Sequence, residues 1–241
     1  MKFGYWTVML AAFSATPSRA GPPYLTDDPA PTDLGHWEIY GFTAVEGHRS
    51  TVDGDAGLDL NYGALSGVQL TATLPLSFSN NSADGWRTGT GDVELGVKYR
   101  FLNDEKSGFS AAIFPRVILP TAAHSSGEKT RLLLPAWAQK DFAGGTSVFG
   151  GGGYTINPGP GNRDYWQAAI ATTHDLTKTV SVGAEIARQG PDTIGGTSQT
   201  RLGLGTIVQL TDHYALLFSG GPTFADHQTN YRLYGALGFN F

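Results

Sequence analysis

The alternation of apolar and polar side chains restricts the fold of this chain more than any other feature. Between residues 93 and 101 the odd-numbered residues are apolar, namely Val93, Leu95, Val97, Tyr99 and Phe101. The even-numbered residues between them are charged, namely Glu94, Lys98 and Arg100, with Gly96 as the exception. Successive Cβ atoms lie on opposite sides of a β-strand, whereas a helix would mix the two sets. This segment is therefore predicted to be a strand with one apolar and one charged face.

The same pattern recurs from His36 to the C-terminus in segments of about 8 to 12 residues, which predicts about twelve strands. An even number of antiparallel strands returns both ends of a closed barrel to one side. The predicted connections alternate between short and long, and the long ones are 46–55, 75–90, 120–130, 157–164, 189–198 and 221–229. Short periplasmic turns opposite longer extracellular loops are typical of outer-membrane barrels, so the fold class is an all-β, transmembrane antiparallel β-barrel.

Composition agrees with this fold and excludes other classes. Charged residues make up 15% of the 241 residues, and there are 33 glycines. Soluble domains carry about 25% charged residues. Glycines 150–153 suit a curved strand, and the alternative is a flexible loop. A net charge of −5 without a basic block speaks against nucleic acid as a partner. The absence of cysteine excludes disulfides and thiolate metal sites.

The N-terminus predicts export. Residues 1–20 combine Lys2, a largely apolar stretch and the small-residue ending 18–20, as in a cleaved signal peptide. The alternative is a short helix of the mature fold. We expect the mature chain to begin at Gly21, with an N-terminal segment at 21–35 and the barrel at 36–241.

Three acids follow shortly after the expected cleavage site. Asp27, Asp28 and Asp33 lie among prolines, which forbid regular strand pairing and favour an extended conformation. Two placements remain open for this segment. It threads into the lumen and meets arginines there as a plug, or it remains a solvated periplasmic tail.

Alternation also predicts which charged residues line the lumen. They are Asp59, Asp92, Glu94, Lys98, Arg100, Arg116, Arg131, Glu185, Arg201 and Arg232. One hypothesis is that the arginines form a selective constriction. The other is that acids and bases pair into a structural network, since buried charges of both signs must pair or stay hydrated.

Residues 21–29, followed by Leu34-Gly35-His36-Trp37-Glu38, resemble a bacterial outer-membrane β-barrel family labelled with the meta-pathway of phenol degradation. Its members are commonly called transporters, so the resemblance implies a passive outer-membrane channel for small compounds, hydrophobic or aromatic ones among them. The last strand is similar to the assembly signal of outer-membrane barrels, which implies recognition of Gly235, Leu237, Phe239 and Phe241 by insertion machinery. A lipid-facing edge explains the same residues.

Two other functions remain open. In the first, the barrel is closed and structural or adhesive, with its extracellular loops as the working surface. In the second, it is a lipid-modifying enzyme that uses His124, Ser126 and Glu128. A predicted loop is a poor place to hold such residues in register, so no catalytic residue is expected. The histidines lack metal-ligand spacing, and neither metal nor cofactor is expected.

Overall fold

A computed structural model of the chain describes residues 23–83, 85–123, 128–226 and 228–241. The predicted signal peptide lies outside this range. The described residues form strands that are joined in one antiparallel sheet: β1 (Trp37–His48), β2 (Thr51–Leu65), β3 (Val68–Asn81), β4 (Gly85–Thr90), β5 (Val93–Asp104), β6 (Phe109–Ile113), β7 (Arg116–Leu119), β8 (Arg131–Phe142), β9 (Thr146–Ile156), β10 (Tyr165–Asp175), β11 (Val180–Gln189), β12 (Gln199–Gln209), β13 (Tyr214–Ala225) and β14 (Gln228–Asn240).

The sheet closes on itself, because β14 pairs with β1 from Glu38 opposite Asn240 to Gly47 opposite Tyr231. Two wall positions each hold an interrupted strand. β4 and β5 both pair with β3, and β6 and β7 both pair with β5 and β8. The second interruption falls at Pro115, whose nitrogen carries no hydrogen to donate. The wall is thus a closed barrel of twelve strands, as the alternation predicts.

One end of the barrel, the turn end, carries Trp37, Asn240 and the short links 66–67, 105–108, 143–145, 176–179 and 210–213. The other, the loop end, carries the longer links 120–130, 157–164 and 190–198. Three predicted long loops were wrong. Residues 46–55, 75–90 and 221–229 are largely strand, with links only at 49–50, 82–84 and 226–227.

These segments were predicted to be loops because they are rich in glycine and small polar residues. In the structure they nevertheless form regular strand pairs. Asp53 lies opposite Ser79, and Asp55 lies opposite Ser77, whose hydroxyl donates to the Asp55 carboxylate at 2.5 Å. Polar residues of this kind usually indicate loops. Where a hairpin faces a polar lumen, the same residues suit its inward face. The glycine run 150–153 likewise lies within β9, between β8 and β10.

The outer face is apolar and carries aromatic residues near both ends. Leu95, Ile170 and Leu204 are exposed on it. At the turn end Trp37 packs on Tyr62 with ring centroids 4.8 Å apart, and at the loop end Phe78 and Trp86 are 6.4 Å apart. An apolar band between aromatic girdles is the lipid-facing surface of an outer-membrane barrel. Within the described residues, no helix has the length and apolar character needed to cross a membrane.

Candidate functional site in the lumen

Residues 23–34, here called the inner segment, lie inside the barrel. Thr26 and Thr32 are buried at 0% and 3% exposure, and Pro29 is fully buried. The segment reaches the wall at the turn end, where Leu34 bridges Gly63 and the Gly35 amide donates to the Gly63 carbonyl at 2.7 Å. Side chains of the wall make most of the contacts with the segment, and many of them bind its backbone amides and carbonyls.

Lys98 of β5 holds the segment on one side of the lumen. Its Nζ lies 3.0 Å from Asp27 Oδ1 and donates to the carbonyls of Asp28 and Ala30 at 3.0 and 3.3 Å. The side chain is buried, and all three ammonium donors have an acceptor. A buried charge tolerates its loss of hydration only when it is paired in this manner.

Arg116 of β7 extends this contact into a network. Its Nη2 lies 3.2 Å from Asp27 Oδ2, and its Nη1 lies 2.8 Å from Glu94 Oε1. Its guanidinium also stacks 3.9 Å from the Phe114 ring centroid. Nearer the loop end, Arg131 pairs with Asp92 at 2.6 Å. We call Asp27, Lys98, Arg116 and their acidic neighbours Asp92 and Glu94, together with Arg131, the paired cluster.

Glu185 of β11 holds the segment on the opposite side. Its carboxylate accepts from the Thr26 amide at 2.6 Å, the Thr26 hydroxyl at 2.5 Å and the Leu25 amide at 3.3 Å. Tyr24 packs nearby, 6.3 Å from the Phe149 ring. Burial, and then the charge of Glu185, raise the pKa of Tyr24 to about 12, so its phenol stays protonated.

A third contact involves uncharged residues of β2 and β3. The amide and hydroxyl of Thr32 donate to Gln69 Oε1 at 2.8 and 3.1 Å. Gln69 Nε2 in turn donates to Asn61 Oδ1 at 2.7 Å. Sequence analysis assigned Gln69 no role. Thr26 and Tyr24 were missed, because nothing local marks which residues of an extended segment will meet the wall.

The three acids of the segment differ in their surroundings. Asp27 is ion-paired, Asp33 is exposed, and Asp28 lies 4.0 Å from Lys98 Nζ. Burial raises the pKa of Asp28 to about 6 against the opposing attraction of Lys98, and Asp27 and Glu38 raise it further. Asp28 therefore titrates within an accessible range of pH.

The remaining predicted lumen residues also differ. Asp59 accepts from the Thr73 hydroxyl at 2.8 Å, and Arg100 lies half-buried toward the turn end. Arg201 and Arg232 face the lumen from β12 and β14, and neither has an ion-pair partner within 4.0 Å among the residues that the structure describes. Paired and unpaired charges thus occupy different sides of the lumen.

The inner segment leaves a cavity of about 330 Å³ between itself and the wall formed by β1–β3, β5, β7, β13 and β14. Tyr40, Phe42, Leu217 and Tyr234 give this cavity an apolar side. Its other side is polar, with Asp59 and the amide–hydroxyl network of β2 and β3. Its volume is at the lower end of the range for small-molecule sites.

Metal binding and the lipid-modifying hypothesis concern other residues. Among the described residues, no group of three or more histidine, aspartate or glutamate side chains is placed to hold a metal ion. His124 and Ser126 lie outside the described residues, and Glu128 is exposed.

The fold is similar to that of several solved outer-membrane proteins. The COG4313 outer membrane channel from Pseudomonas putida F1 is 14% identical, with 86% of this chain and 96% of that chain covered and a TM-score of 0.68. A KdgM porin in complex with disordered oligogalacturonate is 10% identical, with 85% and 99% covered and a TM-score of 0.59. The translocator domain of the autotransporter NalP from Neisseria meningitidis is 15% identical, with 86% and 89% covered and a TM-score of 0.55.

At these identities the likeness concerns the fold, which is that of bacterial outer-membrane barrels. The apolar band and the aromatic girdles agree with a location in the outer membrane. No curated protein sequence matches the chain. A family model does match residues 29–241, which is most of the chain. The protein therefore belongs to the family described as "Putative MetA-pathway of phenol degradation".

Proposed function

We propose that the protein is an outer-membrane channel for the passive passage of small compounds, hydrophobic or aromatic ones among them, and that its inner segment is a plug. The observation that carries this proposal is the lumen itself, which is crossed by residues 23–34 yet keeps a cavity of about 330 Å³ with an apolar, aromatic side. A purely structural barrel has no need of such a space. The family description supports aromatic compounds as the solutes.

The contacts of the inner segment support its role as a plug. It joins opposite walls, since Asp27 pairs with Lys98 and Arg116 while Thr26 binds Glu185. Apart from the strand-like contact at Leu34 and Gly35, side chains make most of these contacts, so the segment leaves without breaking the barrel's own ladders. A plug held in this way is removable.

The test is single-channel conductance in planar bilayers. We compare the intact mature protein, a variant lacking residues 21–34, and the point variant Asp27→Lys, which places a third positive charge against Lys98 and Arg116. Asp33→Lys is the matched control, because Asp33 is an exposed acid of the same segment. Larger conductance in the deletion and in Asp27→Lys, with Asp33→Lys unchanged, is the expected result.

Absence of conductance in every variant would contradict the channel and favour the closed structural or adhesive barrel. We infer no catalysis. A lipid-modifying activity of the purified protein that is lost in His124→Ala or Ser126→Ala would overturn that part of the proposal.

Partners follow from the outer surface. We expect outer-membrane lipid against the apolar band and insertion machinery at the last strand. Gly235, Leu237 and Phe239 lie on the outward face of β14, and the exposed Phe241 follows it. Replacing Phe241 with Asp should slow insertion in vitro by the purified machinery. Unassisted refolding into detergent, which requires no recognition of the C-terminus, serves as the control.

A further inference from the structure

Two arginines on the side of the lumen opposite the paired cluster have none of the partners that hold Lys98 and Arg116. Arg201 of β12 donates through Nη2 to Gln199 Oε1 at 3.1 Å, and its buried Nε, like that of Arg116, has no acceptor among the described residues. Arg232 of β14 makes no ion pair within the described part of the chain. The guanidinium groups thus retain donors for another molecule.

The surroundings of these arginines form a recess. Arg201 lies opposite Thr223, and Gly221 lies opposite Arg232, so β13 separates the two arginines. These residues line a small cavity of about 20 Å³ together with Gly203, Glu185 and residues 23–25 of the inner segment. We call Arg201, Gly203, Gly221, Thr223 and Arg232 the arginine recess.

A third orphaned group points to the same place. Thr223 is fully buried, and its hydroxyl has no hydrogen-bond partner in the described structure. Buried polar atoms are nearly always satisfied, and an exception calls for an explanation. A bound anion would accept from this hydroxyl and from Arg201 Nε.

Two acids lie near the arginines, and both have other contacts. Glu185 accepts from the amides of Leu25 and Thr26, and Glu46 accepts from Asn230 Nδ2 at 3.4 Å. Neither carboxylate is within 4.0 Å of an arginine nitrogen in the residues described. The arginines are therefore left for a ligand that brings its own negative charge.

The recess adjoins the larger cavity, because Arg232 lines both. Next to Arg232, the larger cavity presents Tyr234, Leu217 and Phe42. A ligand that satisfies both parts has an anionic head of the size of a carboxylate and a small apolar body. Phosphate would satisfy the head without using the apolar wall.

We propose that the arginine recess and the adjoining apolar wall bind small apolar monocarboxylates, of which benzoate is the simplest aromatic example. This inference rests on the proposed channel function and specifies its solute. Arginine forks match the carboxylate geometry. Arg201 and Arg232 bind the carboxylate, Thr223 donates a further hydrogen bond, and the apolar body lies against Tyr234 and Leu217.

The experiment is calorimetric titration of the refolded full mature chain with benzoate, benzyl alcohol and inorganic phosphate. We expect benzoate to bind most tightly, and its affinity to fall about 10-fold or more in Arg201→Gln and in Arg232→Gln, which corresponds to the loss of a charged hydrogen bond. The affinity for benzyl alcohol should not change. Arg188→Gln is the matched control, because Arg188 is exposed and contacts the Thr200 hydroxyl instead.

A second variant tests the recess without removing charge. A Cβ at Gly203 would lie in ordinary contact with Glu185, at 3.7 Å, so the strand accepts a side chain there. Gly203→Val should fill the recess and weaken benzoate binding while both arginines remain. Folding of each variant is checked by its far-UV circular dichroism.

Equal binding of benzoate and benzyl alcohol, or benzoate binding unaffected by Arg201→Gln and Arg232→Gln, would overturn the inference. Phosphate binding as tightly as benzoate would show that the apolar wall takes no part, which overturns it too. These outcomes are separate from the fate of the channel proposal, because titration requires no passage. Conductance without benzoate binding rejects only the inference, and benzoate binding without conductance rejects the channel.

Discussion

The two sides of the lumen use the same residue types in opposite ways. In the paired cluster, Lys98 and Arg116 are both bound by carboxylates, and the ammonium of Lys98 has three acceptors. In the arginine recess, Arg201 and Arg232 face the same lumen without an ion pair among the described residues. The difference teaches that inward charge alone does not indicate function. A charge whose partners belong to the chain holds structure, and a charge without them is available to a solute.

The largest expected effect is a difference between two variants, each of which removes one cation from one side of the lumen. Lys98→Met leaves Asp27 with one partner fewer and two buried carbonyls without a donor. We expect this to weaken the binding of the inner segment inside the barrel, here called its seating, by about 3–5 kcal/mol. Arg201→Met removes no ion pair, so the change should stay below about 1 kcal/mol. The rate of proteolysis of the inner segment in proteoliposomes measures both. Similar rates in the two variants would contradict the division of the lumen into a paired and an unpaired side.

This division could not be predicted from the sequence, although the positions could. Period-2 alternation is a consequence of strand geometry, and it placed Lys98 and Arg201 on inward faces. Whether either one is paired depends on where the inner segment runs, and no local pattern contains that path. Asp27 and Asp33 have equivalent chemistry and similar neighbours in sequence, but only Asp27 reaches Lys98. The mistaken loops have a related cause, since polar hairpins lining a lumen have the composition of loops.

A smaller effect should come from pH, because protonation of Asp28 stabilises the seated inner segment. Its pKa is about 6 with the segment seated, against 3.8 for a solvated aspartate. The seated state therefore binds a proton more tightly than the released state. Its extra stability, at most about 3 kcal/mol, is fully present below pH 3.8 and is lost as pH rises through 6. Channel opening should therefore increase as pH rises from 3.8 to about 6 and change little above that pH.

The groups that face Asp28 set the control for this experiment. Lys98, Asp27 and Glu38 are the charges acting on it, and the Ala30 amide donates to its Oδ1 at 2.8 Å. Asp28→Asn removes the titration but keeps a side chain of the same shape, so conductance should become nearly independent of pH over this interval. A pH dependence that persists in Asp28→Asn would assign the effect to another group.

The smallest effect should be a difference between two glycines of β12. Gly205 lies beneath the inner segment, and Gly203 lies in the arginine recess. A Cβ at Gly205 would lie 2.7 Å from the Tyr24 hydroxyl oxygen and Cε1, whereas a Cβ at Gly203 meets Glu185 only at 3.7 Å. Gly205→Ala should therefore displace Tyr24 and weaken seating by about 1–3 kcal/mol, the usual range for overpacking. Gly203→Ala should leave seating unchanged.

Conductance and proteolysis of the two alanine variants measure this difference, and Tyr24→Ala tests its cause. Combined with Gly205→Ala, the Tyr24 truncation removes the collision, so the added methyl should then have little further effect on seating. If Gly205→Ala loosens the segment equally with and without Tyr24, the ring is not what the glycine accommodates. If Gly203→Ala loosens it as much, the arginine recess is part of the machinery that holds the segment.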